Sequence, residues 1–211
     1  MAKNALEMRL RPRKSPRQAR SLATQARVLE AARRTFARHG YAGGTTNRIA
    51  AQAGISVGSL YQYYPNKDAI LAALVRAHIE DGTRALLAAL AGAGSELESL
   101  VRRAVTALVE VHAADRRLHQ VLFEESPRAA SLRGELARLE ESAVGLAAAR
   151  LADRYARPAD AELAARIVVT TIESLVHRLV AGARPLDSAR FIAETTRLVT
   201  GYLESSAASG R

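Results

Sequence analysis

The stretch AGISVGSLYQYYPNK (residues 53–67) decides how the chain is read. It holds Tyr61, Tyr63 and Tyr64, half of the six tyrosines in a 211-residue chain whose aromatic content is only 4%. The same segment has two glycines, two serines and no acid. An aromatic-poor protein has concentrated its rings in a polar, acid-free segment, and the neighbouring residues supply the reason.

Residues 45–64 read as two short helices around a tight turn. Thr45 or Thr46 can cap the first helix by accepting a backbone N–H bond. Ile49, Ala50 and Ala53 form its buried stripe, and Gly54 supplies a left-handed turn that a residue without Cβ enters at little cost. Ile55 fills the angle between the helices, Ser56 caps the second, and Leu60 is the strongly apolar inward residue of that helix. Two helices joined in this way form a helix-turn-helix. Three residues after the cap, where Glu or Gln often stands, this chain has Ser59; an acid there would be repelled by a DNA backbone. Small Gly58 and Ser59 let the helix N-terminus sit close in a major groove. Tyr61 and Tyr63 offer hydroxyls to flanking phosphates, and Lys67 adds a charge at the start of the next helix.

Charge supports this reading. Residues 1–67 hold 13 Lys+Arg against 2 Asp+Glu, whereas the remaining 144 residues hold 18 against 19. The whole excess of +10 therefore sits in the first third, as expected when one part binds a polyanion and the other does something else. A basic solubilising tail would account for residues 1–20 but not for the 47 that follow. No apolar run reaches the roughly 18 residues that a membrane span needs. The basic N-terminus lacks an apolar segment behind it, so no secretory signal is expected. Cysteine is absent, which fits a reducing cytoplasm.

The rest of the chain reads as helix throughout. Residues 1–20, rich in Lys and Arg, are expected to be a disordered basic arm. From Thr24, Val28, Leu29, Ala32 and Phe36 fall on one helical face, and Gly40 ends that helix. Later helices are expected at 67–91, 95–113, 115–125, 131–156, 159–181 and 187–205, divided by Gly and Pro breaks. The expectation is an all-α protein of about nine helices. It comprises the arm (1–20), a three-helix DNA-binding domain (21–67) and a helical body (68–211).

The stretch from Arg27 to about Leu74, with FARHGY followed by TTNRIAAQAGISVGSLYQYYPNKDAIL, resembles the TetR family of transcriptional repressors. The resemblance covers roughly a quarter of the chain and its motif is highly specific. It implies that Thr46, Ser56, Tyr61, Tyr63 and Lys67 contact phosphates, that Asn47, Val57, Gly58, Ser59 and Gln62 face base edges, and that Tyr64 packs inward. Two features depart from the family pattern. Thr46 and Asn47 occupy the place just after the capping threonine where an apolar residue is usual, and Gly43-Gly44 predicts a looser preceding turn. Gln62 and Asn47 suit adenine, Val57 suits a thymine methyl, and no recognition-helix arginine reaches for guanine. The arm's arginines and lysines either enter a minor groove or add counterion release.

The resemblance also implies that the body binds a small-molecule inducer and forms a homodimer on a double-stranded DNA operator. Candidate inducer contacts are His112, His119, Phe123, Glu124, Tyr155, Thr171, Ser174 and His177. Apolar stripes on the last two helices nominate Ile172, Leu175, Leu179, Phe191, Thr195, Leu198 and Tyr202 for a four-helix interface between copies, with burial in the chain's own core as the alternative. Glu173 and His177, four apart, suit an exposed pair. No tight ligand pair marks a metal site, and no cofactor is expected. An architectural DNA binder with weak sequence preference is the competing function. Catalysis is not expected: P-loop, G-x-S-x-G and H-E-x-x-H motifs are all missing, and the acids are dispersed.

Overall fold

Helix α1 (Ala19–Gly43) shows how the pattern becomes structure. Val28, Ala31, Ala32, Thr35 and Phe36 are buried along it, at the three- and four-residue spacing of one helical face. The Thr35 hydroxyl donates to Ala31 O (2.7 Å), so the one buried polar side chain in this stripe is satisfied within the helix. The helix begins at Ala19, five residues before the expected Thr24, and its regular backbone breaks at Gly40 (φ 68°).

The computed structural model describes residues 19–91, 94, 96–125, 133–154, 158–180 and 186–209. Most of the expected basic arm, Tyr155 and the Glu124 side chain lie outside the described residues. Among the described residues the chain is all-α, with nine α-helices and no strand. After α1 come α2 (Thr46–Ala53), α3 (Val57–Tyr63), α4 (Lys67–Leu90), α5 (Leu97–Ala113) and α6 (Arg116–Gln120). A π-helical turn (Val121–Glu125) extends α6. α7 (Arg133–Leu151), α8 (Pro158–Leu175) with a second π-helical turn (Val176–Val180), and α9 (Ser188–Ser209) complete the chain.

The chain divides into two compact units. The first comprises residues up to Glu80 together with Arg117–Arg133. Its core joins Val28 and Phe36 of α1, Ile49 of α2, Leu60 of α3, Tyr64, and Ile70, Leu71 and Val75 of α4. Leu118, Val121 and Leu122 complete it from a later segment of the chain. Each such fully buried side chain contributes roughly 1.5–3 kcal/mol of burial free energy.

The second unit comprises Asp81–Arg116 and Gly134–Arg211. Leu97, Val101, Val105 and Val109 descend α5 at four-residue intervals and bury one face. Ala164, Ala165, Val168 and Ile172 of α8 and Phe191, Val199 and Leu203 of α9 share that core. Asp187 starts α9 by accepting the Arg190 N–H through its side chain (3.1 Å).

Candidate nucleic-acid interface

The geometry of α2 and α3 follows from four local devices. Thr45 is the N-cap of α2, its hydroxyl oxygen accepting the Arg48 N–H (3.3 Å). The ambiguity between Thr45 and Thr46 is thereby resolved, and Thr46 becomes the first helical residue with its hydroxyl turned elsewhere. At the other end Gly54 adopts φ 65°, ψ 38°, donating to Ala51 O while Ile55 N–H donates to Ala50 O (both 3.1 Å). These are the two bonds of a Schellman ending, which require a left-handed residue. Ser56 then caps α3 by accepting the Ser59 N–H (3.1 Å), and the Ser56 and Ser59 hydroxyls lie 2.8 Å apart.

Pro65 ends α3. The residue before a proline is pushed out of helical space, and Tyr64 is accordingly extended (φ −128°, ψ 119°). That turn swings the Tyr64 ring into the core, where it is 2% exposed and burial pushes its phenol up to about 12. Asn66 caps the following helix, its side-chain oxygen accepting the Ala69 N–H (2.9 Å).

The opposite face is left to solvent. Asn47, Ser56, Gly58 and Gln62 are exposed, Tyr61 is 39% exposed, and Thr46, Val57, Ser59 and Tyr63 are half-buried. Thr46 Oγ1 and Tyr61 Oη are 3.2 Å apart, joining α2 to α3 on this surface. Lys67 is half-buried and already engaged: its ammonium donates to Tyr41 O (2.9 Å) and lies 3.9 Å over the Tyr41 ring. Thr46, Asn47, Ser56, Gly58, Tyr61 and Gln62 are thus at least partly open to solvent, whereas Val57 and Tyr63 also pack against the core that Leu60 and Tyr64 fill.

The two neighbouring glycine sites differ. A Cβ on Gly44 would fall 2.2 Å from the Phe36 ring, so this turn is tight rather than loose, and Gly44 is demanded by packing. A Cβ on Gly58 would meet nothing nearer than Ser56 Oγ at 3.9 Å. Among the described residues nothing requires Gly58 to be small.

Sequence models of two families match the chain. The one described as "Bacterial regulatory proteins, tetR family" covers residues 28–74, and "Tetracyclin repressor-like, C-terminal domain" covers 96–203. The chain belongs to the TetR family. It is 35% identical over 130 residues to the HTH-type transcriptional repressor SCO4008 of Streptomyces coelicolor, a match spanning 61% of this chain and 64% of that protein. It is 40% identical over 57 residues to the HTH-type transcriptional repressor AcnR of Corynebacterium glutamicum, over 27% of this chain and 29% of that one. The matched stretches thus span less than two thirds of these curated relatives. A solved TetR-like transcriptional regulator from Rhodococcus sp. RHA1 aligns with a TM-score of 0.67 at 25% identity, covering 90% of this chain and 99% of that one.

Within this TetR-family chain the candidate inducer contacts fall into both units. In the first, Phe123 stacks on the buried His119 (ring centroids 4.5 Å), and His78 of α4 meets both rings edge-on. His78 was missing from the sequence reading, because it lies 41 positions from His119 and no spacing rule pairs them. In the second unit His112 and His177 pack edge to face (4.6 Å), and His112 Nδ1 bonds Leu108 O (2.8 Å). Burial pulls the His112 imidazole below its ordinary range, against the opposing effect of that bond. Thr171 is half-buried and Ser174 exposed. Glu173 is half-buried, contrary to its reading as an exposed partner of His177, and burial followed by the nearby Glu140 carboxylate raises its carboxyl.

The residues nominated for an interface between copies also divide. Ile172, Phe191 and Thr195 are buried inside the second unit of the single chain, so they are not surface for a partner. Their stripe serves the chain's own core. Leu175 and Tyr202 are half-buried, whereas Leu179 and Leu198 are exposed, and with them Leu163 and Ile167 of the same apolar stripe on α8. Among the described residues no helix is long and apolar enough to cross a membrane.

Proposed function

We propose that this chain is a sequence-specific DNA-binding transcriptional repressor of the cytoplasm. It works as a homodimer on a palindromic operator and is released by a small molecule held in its C-terminal helical domain. The observation that carries the reading is the face of α3, above all Gly58: an exposed glycine in the first turn of a capped helix, where a Cβ would meet only Ser56 Oγ, at 3.9 Å. Glycine in a helix costs stability relative to alanine, so its smallness serves a surface that comes from outside. A helix N-terminus lowered into a major groove is such a surface.

In this reading Thr46, Ser56, Tyr61, Tyr63 and Lys67 hold phosphates and set the docking register. Asn47, Val57, Gly58, Ser59 and Gln62 meet base edges, with Gln62 and Asn47 donating and accepting at adenine. The names of the relatives, both HTH-type transcriptional repressors, support repression. Exposed Leu163 (59%), Ile167, Leu179 and Leu198 (57%) in the last two helical segments support pairing with a second copy. His112, Thr171 and His177 are the best-placed described contacts for an inducer in the second unit. The inducer shifts occupancy only as far as it prefers the body shape in which the two recognition helices lose the operator spacing.

Selection from a random duplex pool at about physiological salt tests the reading. Enrichment of a palindrome with half-sites about one helical turn apart is the expected result. Enrichment of A·T-rich or arbitrary DNA alone would replace it with an architectural DNA binder.

A further inference from the structure

Tyr41 is held at four points. Its N–H donates to Glu125 Oε2 (3.0 Å), its carbonyl accepts from Lys67 Nζ (2.9 Å), its hydroxyl donates to Asp68 Oδ1 (2.7 Å), and its ring lies 3.9 Å beneath the Lys67 ammonium. Glu125 is anchored in turn by Arg117 on α6. The backbone accommodates the carboxylate at Gly40, whose φ is 68° and where a Cβ would stand 2.8 Å from Glu125 Oε2. An acid 84 positions along the chain therefore fixes the residue that fixes Lys67.

Lysine is a flexible point charge, and ordering it before binding removes a cost that a loose side chain would bear. Of the three N–H donors on the Lys67 ammonium, one is used on Tyr41 O, which leaves two for an incoming oxygen. We propose that Glu125 is a positioning residue for DNA binding: through Tyr41 it holds Lys67 Nζ in place for a backbone phosphate. The inference rests on the reading above that Lys67 meets phosphate. The Tyr41 N–H, more than any other neighbour, holds the Glu125 carboxyl below the usual carboxylate range. The acid is thus charged at neutral pH.

Charge alone argues for the opposite sign. Deleting an acid from a DNA-binding protein removes repulsion and tightens binding. Positioning predicts that deleting this acid weakens it.

The test is a double-mutant cycle in the full chain: wild type, Glu125→Ala, Lys67→Ala and the double variant. Binding is measured by fluorescence anisotropy at low salt on one short duplex of arbitrary sequence. Phosphate contacts carry no sequence information, so no operator is needed. Glu125→Ala is expected to weaken binding about threefold to tenfold, and the double variant to bind no worse than Lys67→Ala. Glu125→Gln keeps an acceptor for the Tyr41 N–H and is expected to stay within about twofold of wild type. If Glu125→Ala lowers the folded population, Arg117→Ala loosens the same carboxylate from its far side and is read in the same cycle. The proposal is overturned if Glu125→Ala binds as tightly as wild type or tighter. It is also overturned if the loss is the same in the Lys67→Ala background, or if Lys67→Ala has no effect. A random pool that yields no motif while the cycle behaves as expected would sink the sequence-specific reading and leave the positioning role standing.

Discussion

The first unit and the second use the same helical material differently. In the first, short helices are set by discrete devices: Thr45 and Ser56 caps, the Gly54 turn and the Pro65 stop. Each fixes one residue's direction, so the polar face of α3 follows from the order of letters. In the second, long helices bury Val, Leu and Ala on broad stripes, and the surface retains large apolar side chains such as Leu163 and Leu198. Local rules decide direction in the first unit; packing decides it in the second.

Paired substitutions sharpen that contrast. Largest is the difference between Ile172→Ala and Leu198→Ala on neighbouring helices. Ile172 is 6% exposed and Leu198 57%, so the first should lose about 2–5 kcal/mol of folding stability and the second little. Urea titration at low protein concentration measures both. Leu198→Ala should instead lower the dimer fraction in sedimentation, and an unchanged dimer would remove this surface from the interface between copies.

Next come the two glycines of the first unit. Gly44→Ala drives a methyl into the Phe36 ring and should cost about 1–3 kcal/mol. Gly58→Ala should leave stability unchanged or raise it by a few tenths of a kcal/mol, while weakening binding to a selected duplex. Equal melting points for the two variants would break the distinction between packing glycine and interface glycine. Loss of the α3 cap in Ser56→Ala should cost about 1 kcal/mol, measured in the same titration.

The smallest expected effect is acid sensitivity from His112. Its folded imidazole titrates below its ordinary value because burial disfavours the charge. The unfolded chain therefore takes up a proton first on acidification, and stability falls as pH drops below the ordinary histidine range toward the folded value. His112→Gln should flatten the dependence of the urea midpoint between neutral and mildly acidic pH. An unaltered slope would mean that other groups carry it.

These contrasts follow what was legible in the sequence. The turn at Gly54, the cap at Ser56 and the break at Gly40 are local, and each stands where its residue type demands. Choosing between Thr45 and Thr46 required the structure, because either threonine can cap. The docking of Leu118, Val121 and Leu122 into the first core was not legible, since the Glu125–Tyr41 bond joins residues 84 apart. The same holds for Ile172 and Leu179: periodicity nominates both, and only packing buries one and exposes the other.

In the proposed function the exposed face of α3 reads bases. Selection from one random duplex pool, run in parallel with wild type and Gln62→Ala, tests it most directly. A palindrome is expected in both, with preference relaxed at one symmetric pair of positions in the variant, where about 1–3 kcal/mol of discrimination is lost. An identical motif from the two proteins, or no motif from wild type, would contradict it.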